Sequence, residues 1–266
     1  MDLRLEGRRA VVTGGSRGIG RAVATKLAAE GVRLAICART QEPLESAAAQ
    51  IADRTGSEVI PVVADVRDAA SVEAFVATAA ERLGGLEIVV SSAARVGAGS
   101  VPEDLEHVAE GTILGDFEEK FLGALRICRA ALPHLRQAGW GRIVTISGLT
   151  ARVAGQVSAG ARNAALVHLT RTMSVELGRD GITVNAIYPA VTVTEGLTER
   201  LTARAEREGT SSEQLLTNLS KKSAIGRLVT ADEVADVVVF LASERSAGIT
   251  GEAIAVSGGT GVSVSY

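Results

Sequence analysis

The chain of 266 residues predicts an α/β fold, a doubly wound parallel sheet of about seven strands in a single domain. Three observations carry that expectation. Near the amino end an apolar run, a glycine-rich turn and a helical pattern follow one another directly. Strand and helix signals then alternate to the end, with no linker and no low-complexity stretch. The composition is 46% hydrophobic but only 3% aromatic, with 29 glycines, which suits helices layered on a buried sheet. The length matches one α/β domain of the larger sort with ample core.

The first unit is the most informative. Ala10-Val11-Val12 is a short β-branched strand, and Ile19, Ala22, Val23 and Leu27 recur at helical spacing. Between them lies Thr13-Gly14-Gly15-Ser16-Arg17-Gly18-Ile19-Gly20, with glycine spacing G-x-x-x-G-x-G. A strand, a glycine turn and a helix amino terminus together make a dinucleotide site. The small residues admit the pyrophosphate, and the unpaired N–H groups and dipole of the helix attract it.

The remaining elements follow in order. Residues 33–38 read as the second strand, 43–52 as a helix, and 59–64 as the third strand, with Pro61 inside it. A helix is expected over 71–83 with Ser71 as N-cap, then a strand over 86–90. Residues 117–137 form a long helix that Pro133 should kink or end. A fifth strand at 141–147, a helix at 161–177, and strands at 182–187 and 252–256 complete the sheet. The polar stretch 192–223 carries sparse leucines and reads as mobile helices forming a lid over the binding crevice.

Composition excludes several roles. Net charge is −3 and no basic face appears, so nucleic acid is not an expected partner. No apolar run reaches the ~18 residues of a membrane span, and the first ten residues lack a signal-type apolar segment, so a soluble cytoplasmic protein is expected. Cys37 and Cys128 read as reduced core thiols. His107, His134 and His168 show no ligand spacing, and no metal is expected.

An NAD site would carry an acidic residue about twenty positions past the turn to hold the ribose. Here the second strand ends Cys37-Ala38-Arg39-Thr40. Arg39 and Arg17 are instead placed to meet a 2′-phosphate, which predicts NADP(H).

Several motifs resemble those of the short-chain dehydrogenase/reductase family. They are the T-G-x-x-x-G-I-G turn, Arg142-Ile143-Val144, Asn185-Ala186-Ile187-Tyr188-Pro189, Gly226-Arg227, Glu233-Val234-Ala235, Phe240-Leu241-Ala242-Ser243, Ile249-Thr250-Gly251 and Gly258-Gly259. The resemblance spans nearly the whole chain and implies a Rossmann-type fold. It also implies cofactor contacts at Gly14, Ser16, Arg17, Gly18, Ile19 and Gly20, and at Arg39, Val66, Ser92, Ala93 and Pro189. Asp65 would hydrogen-bond the adenine amine and Thr194 the nicotinamide carboxamide.

The chemistry departs from that pattern. A typical member carries Y-x-x-x-K, the tyrosine acting as acid/base, with a serine about thirteen residues earlier. Those positions fall here on Ala159 and Asn163, and a one-residue shift gives Gly160 and Ala164. The serine falls on Ser147 or Gly148. The family's N-N-A-G reads Ser91-Ser92-Ala93-Ala94, its P-G reads Pro189-Ala190, and its helix asparagine aligns with Lys120. Lys120, Ser147, Asn163 and Tyr188 are therefore the catalytic candidates, with Lys120 either the proton donor or an exposed helix lysine. Arg162 reads either as a helix-surface charge or as a ligand for a carboxylate or oxyanion.

The expected function is NADPH-dependent reduction of a carbonyl, imine or enone in a small organic substrate by an unusual proton donor. The alternatives are a non-redox isomerase, dehydratase or cyclase, or a catalytically silent nucleotide-binding subunit. A homo-oligomer, tetramer or dimer, is expected through the helices at 117–137 and 161–177.

Overall fold

The computed structural model describes residues 1–94 and 105–261. Its strands are β1 (Arg9–Thr13), β2 (Arg33–Ala38), β3 (Val59–Val63), β4 (Ile88–Ser91), β5 (Gly141–Ile146), β6 (Ile182–Pro189), β7 (Thr192–Val193), β8 (Val229–Thr230) and β9 (Ala253–Val256). Seven of them form one sheet in the order β3-β2-β1-β4-β5-β6-β9, parallel throughout. The chain winds outward one way from β1 and the other way from β4. These two strands adjoin with Thr13 opposite Ser91, and the crevice opens at their carboxyl ends. Pro61 is tolerated because β3 is the edge strand, where a missing N–H leaves no partner stranded.

The helices are α1 (Gly18–Ala29), α2 (Gln41–Thr55), α3 (Ala69–Leu83), α4 (Glu110–Asp116), α5 (Gly123–Ala138), α6 (Val157–Leu177), α7 (Glu195–Glu208), α8 (Ser212–Ser220) and α9 (Ala231–Leu241). Successive strand residues point to opposite faces of the sheet. Ala10 and Val12 join Val23, Leu27, Leu44 and Val238 in one buried layer, whereas Val11 joins Phe75, Ile127 and Leu177 in the other. Helices α1, α2 and α9 thus cover one face, and α3, α5 and α6 the other.

Several expectations change in detail. The N-cap of α3 is Asp68, whose carboxylate accepts from the Ala70 N–H at 3.0 Å. Ser71 is one turn inside and accepts instead from the Asp65 N–H at 3.1 Å. Pro133 neither ends nor breaks α5, which runs on to Ala138 and closes at Gly139 in the left-handed region. The long helix expected from residue 117 begins earlier, at α4, and widens into a π-helical segment, Phe117–Leu122, before α5. Such widened turns recur at functional sites. The stretch 192–223 holds α7 and α8, whose Leu197, Leu201, Ala205 and Leu215 make a small separate core with Leu228. The ribbon of β7 and β8 and the helix α9 were not foreseen; α9 begins at a full capping box between Thr230 and Glu233.

Among the described residues no helix is long and apolar enough to cross a membrane, and no His/Cys/Asp/Glu group is arranged to hold a metal.

Candidate functional site

The glycine turn is held from two sides. The Thr13 hydroxyl accepts from the Ser92 and Ala93 N–H groups at 3.0 and 3.1 Å, which ties the end of β1 to the exit of β4. The Gly15 N–H donates to the Cys37 carbonyl at 3.1 Å, which ties the turn to β2. Two glycines are required by contact. Gly14 has φ +69°, and a Cβ there would lie 3.0 Å from the Ala93 Cα; a Cβ at Gly20 would run into the Gly14 carbonyl. The absence of side chains lets the turn pack this closely against the exit of β4.

The turn forms one wall of a cleft of about 560 Å³. Gly14, Ser16, Arg17, Gly18, Ile19 and Gly20 line it at the turn. Arg39 and Val66 line it beyond β2 and β3, and Ser92, Ala93, Pro189 and Thr194 line it beyond β4 and β6. Asp65 is not among the lining residues. Its carboxylate is held by the Arg67 guanidinium, which keeps it below the usual carboxylate range. Cys37 lies against the same wall, and burial pushes its thiol up to about 12, so it is an inert core group.

The cations at the cleft meet carboxylates of the chain itself. Arg17 pairs with Glu199 of α7 at 3.0 Å, and Arg39 approaches Glu119 to 4.0 Å. Glu195 of α7 accepts from the Gly18 N–H at 3.1 Å, at the amino terminus of α1, and also pairs with Arg21. Arg200 of α7 lines the cleft as well. None of Glu119, Glu195, Glu199 and Arg200 was identified from sequence, because the π-helical segment and α7 meet the cleft only through the fold.

At the other end the π-helical segment lowers Lys120 into the protein. Lys120 lines the cleft beside Ser147, and its Nζ donates to the Ser147 carbonyl at 2.7 Å. Lys120 is therefore buried rather than an exposed helix lysine. Burial, then the positive charge of Arg162, pulls its pKa down to about 7, against a smaller opposing effect of Asp116.

Arg162 is not on the helix surface. Its Nη1 pairs with Asp116 at 2.6 Å, and the same Asp116 oxygen accepts from the Ser158 hydroxyl at 2.6 Å. Both members of the ion pair are buried. Neither lines the cleft, so Arg162 acts on Lys120 from behind.

Asn163 lies between these groups. Its amide donates to the Thr150 hydroxyl at 2.7 Å, and its backbone carbonyl accepts from the Ser147 hydroxyl at 3.0 Å. A Cβ on Gly148 would lie 2.6 Å from the Asn163 Nδ2, so Gly148 and Asn163 share one space. Of the four catalytic candidates, Lys120 and Ser147 line the cleft, and Asn163 supports Ser147 from behind. Tyr188 does not line it; the Arg152 guanidinium covers the buried ring at 4.4 Å.

Known proteins resemble the chain throughout. The family described as enoyl-(acyl carrier protein) reductase matches residues 14–261. The short-chain reductase protein NovJ of Streptomyces niveus is 36% identical over 254 residues, covering 94% of this chain and 92% of that protein. L-sorbose reductase of Gluconobacter frateurii, solved with NADPH and L-sorbose, superposes with a TM-score of 0.92 at 28% identity over 98% of both chains. A variant of actinorhodin polyketide ketoreductase, solved with NADPH, does so with a TM-score of 0.86 at 31% identity, over 95% of this chain and 96% of that one. These relatives are oxidoreductases in name, and with the parallel sheet, its switch-point crevice and the glycine cradle they establish that the chain belongs to the short-chain dehydrogenase/reductase family.

Proposed function

We infer that the chain is an NADPH-dependent reductase of a carbonyl, imine or enone in a small organic substrate, with Lys120 as proton donor. The observation that carries this reading is the Lys120 amine on the cleft, buried, held by one carbonyl and shifted to about 7. A general acid works best when its pKa lies near the working pH. On the resemblance, Ala159 and Asn163 fall where the family carries its tyrosine and lysine, and the serine falls on Ser147 or Gly148, so in this reading the protonating group comes from elsewhere in the cleft.

The cleft fits a phosphorylated dinucleotide. Gly14 and Gly20 let the turn close against the Ala93 backbone and on itself beside the amino terminus of α1, and Arg17 and Arg39 present guanidinium groups with no acidic residue at the end of β2. Those arginines would hold the 2′-phosphate, the turn the pyrophosphate, and Pro189 and Thr194 the nicotinamide end. The NADPH complexes of the sorbose and actinorhodin reductases support this assignment. Bound there, the nicotinamide supplies hydride. The chain supplies a proton from the Lys120 ammonium to the oxygen or nitrogen that gains charge. Ser147 holds the amine through its carbonyl, and Asn163 holds the Ser147 hydroxyl. The segment 192–223 would exclude water as a lid.

Lys120→Met tests the mechanism. The substitution keeps the stem and removes the proton, so turnover of NADPH with substrate should fall by roughly 10²-fold or more. Since the protonated amine is the active form, wild-type kcat/KM should decline as pH rises through about 7. Wild-type turnover by Lys120→Met would overturn the role of the lysine. Substrate conversion without NADPH consumption would favour a non-redox reaction.

A further inference from the structure

Four side chains bring positive charge to the cleft, namely Arg17, Arg39, Lys120 and Arg200. Three of them are engaged, by Glu199, Glu119 and the Ser147 carbonyl respectively. Arg200 differs: among the described residues no hydrogen bond or ion pair engages its guanidinium. It is nevertheless half-buried, and burial together with the neighbouring Arg17 charge works against its ionised form, opposed by the smaller attraction of Glu199, which is already paired with Arg17. A partly desolvated guanidinium beside a like charge is a costly arrangement unless an anion completes it.

The register of α7 explains its placement. Residues four apart share a helix face. Glu195 and Glu199 form one row, which meets the glycine turn through the Gly18 N–H, Arg21 and Arg17. Gly196 and Arg200 form the adjacent row and line the cleft. Arg200 reaches the same cavity as Gly196, one turn later. The helix is fixed at its start by the Thr194 hydroxyl, which accepts from the Leu197 N–H at 3.2 Å.

We propose that Arg200 is a phosphate-binding residue on the α7 lid, completing the dinucleotide site from above, and that Glu199 holds Arg17 as a placeholder until a phosphate replaces it. This rests on the NADPH reading given above. When a phosphate oxyanion meets Arg17, Glu199 is released and Arg200 gains a hydrogen-bonded anion, so one exchange of partners both binds the ligand and closes the lid. The shared chemistry is a phosphate oxyanion, from either the 2′-phosphate or the pyrophosphate.

Equilibrium titration of the full chain with NADPH and with NADH, followed by nucleotide fluorescence, tests this on wild type, Arg200→Gln, Arg200→Lys and Glu199→Gln. Arg200→Gln should weaken NADPH binding by roughly tenfold, the scale of one charge-assisted phosphate contact, and Arg200→Lys should recover part of it. A loss confined to NADPH assigns the 2′-phosphate, and an equal loss for NADH assigns the pyrophosphate. Glu199→Gln should tighten NADPH binding, and weaker binding would overturn the placeholder role. NADPH bound by Arg200→Gln as tightly as by wild type would overturn the assignment of Arg200 while leaving the cofactor reading intact. Failure of the wild-type chain to bind NADPH would overturn both.

Discussion

The glycine cradle between β1 and α1 and the corner where β5, α5 and α6 meet are built in opposite ways. The cradle is made of backbone and of missing side chains, with Gly14 and Gly20 packed so closely that a methyl group does not fit. The corner is made of buried charged and polar side chains, Asp116, Arg162, Lys120 and Asn163. A backbone-made site has few solutions, so its sequence signature persists. A side-chain-made site can be rebuilt by exchanging residues on strands and helices whose geometry stays fixed. Binding and chemistry can thus diverge independently within one fold.

The largest effect that would sharpen the contrast lies in the corner. Asp116→Ala leaves the Arg162 guanidinium buried without its partner, and losing one member of such a pair costs about 3–5 kcal/mol. Urea unfolding should show that loss, and Asp116→Ala with Arg162→Met should recover most of it. Wild-type stability in the single variant would mean that the pair is solvated and the corner is not a buried ionic site.

A smaller effect concerns Lys120 and pH. Its folded value of about 7 lies below the ordinary lysine value of 10.5, so between these limits the unfolded chain holds a proton that the folded chain does not. Wild-type stability therefore rises from the lower value to the higher one, and the penalty for burying the charge is largest at and below the lower. Lys120→Met should raise the melting temperature most near about pH 6 and progressively less toward about pH 10. A difference that does not change with pH would place the amine in solvent.

The smallest effect tests the cradle side. Arg39 is half exposed, and its Glu119 partner stands 4.0 Å away. Arg39→Ala should weaken NADPH binding on the order of tenfold and leave NADH binding nearly unchanged. Equal losses for both would remove the 2′-phosphate from this arginine.

The cradle was legible in the sequence because its turn needs glycine at fixed offsets between a β-branched strand and an apolar helix face. The second strand, residues 33–38, matched for the same reason, its buried apolar run being short and bounded. The π-helical segment was not legible, since one widened turn leaves no periodic trace, and Lys120 therefore read equally well as an exposed lysine or a pocket group. Arg162 was ambiguous because its partner, Asp116, is 46 residues distant and on another helix. Pro133 misled through its local rule. It removes one N–H bond from inside α5, and the helix nevertheless runs on to Ala138. The carboxylates of α7 carried no signal, since an acidic helix face reads as solvated until the fold sets it against Arg17 and Gly18.

The small core shared by α7 and α8 has a consequence for how the molecule comes apart. Leu197, Leu201, Ala205, Leu215 and Leu228 pack on one another rather than into either layer of the sheet. This unit can therefore open by sub-global unfolding, at a free energy set by a few leucines and the Glu195 and Glu199 contacts, while the sheet stays closed to exchange. On the lid reading proposed above, ligand entry and release would be governed by one local stability and the lifetime of the fold by another. Substitutions among those leucines would alter residence time without altering the melting point of the sheet.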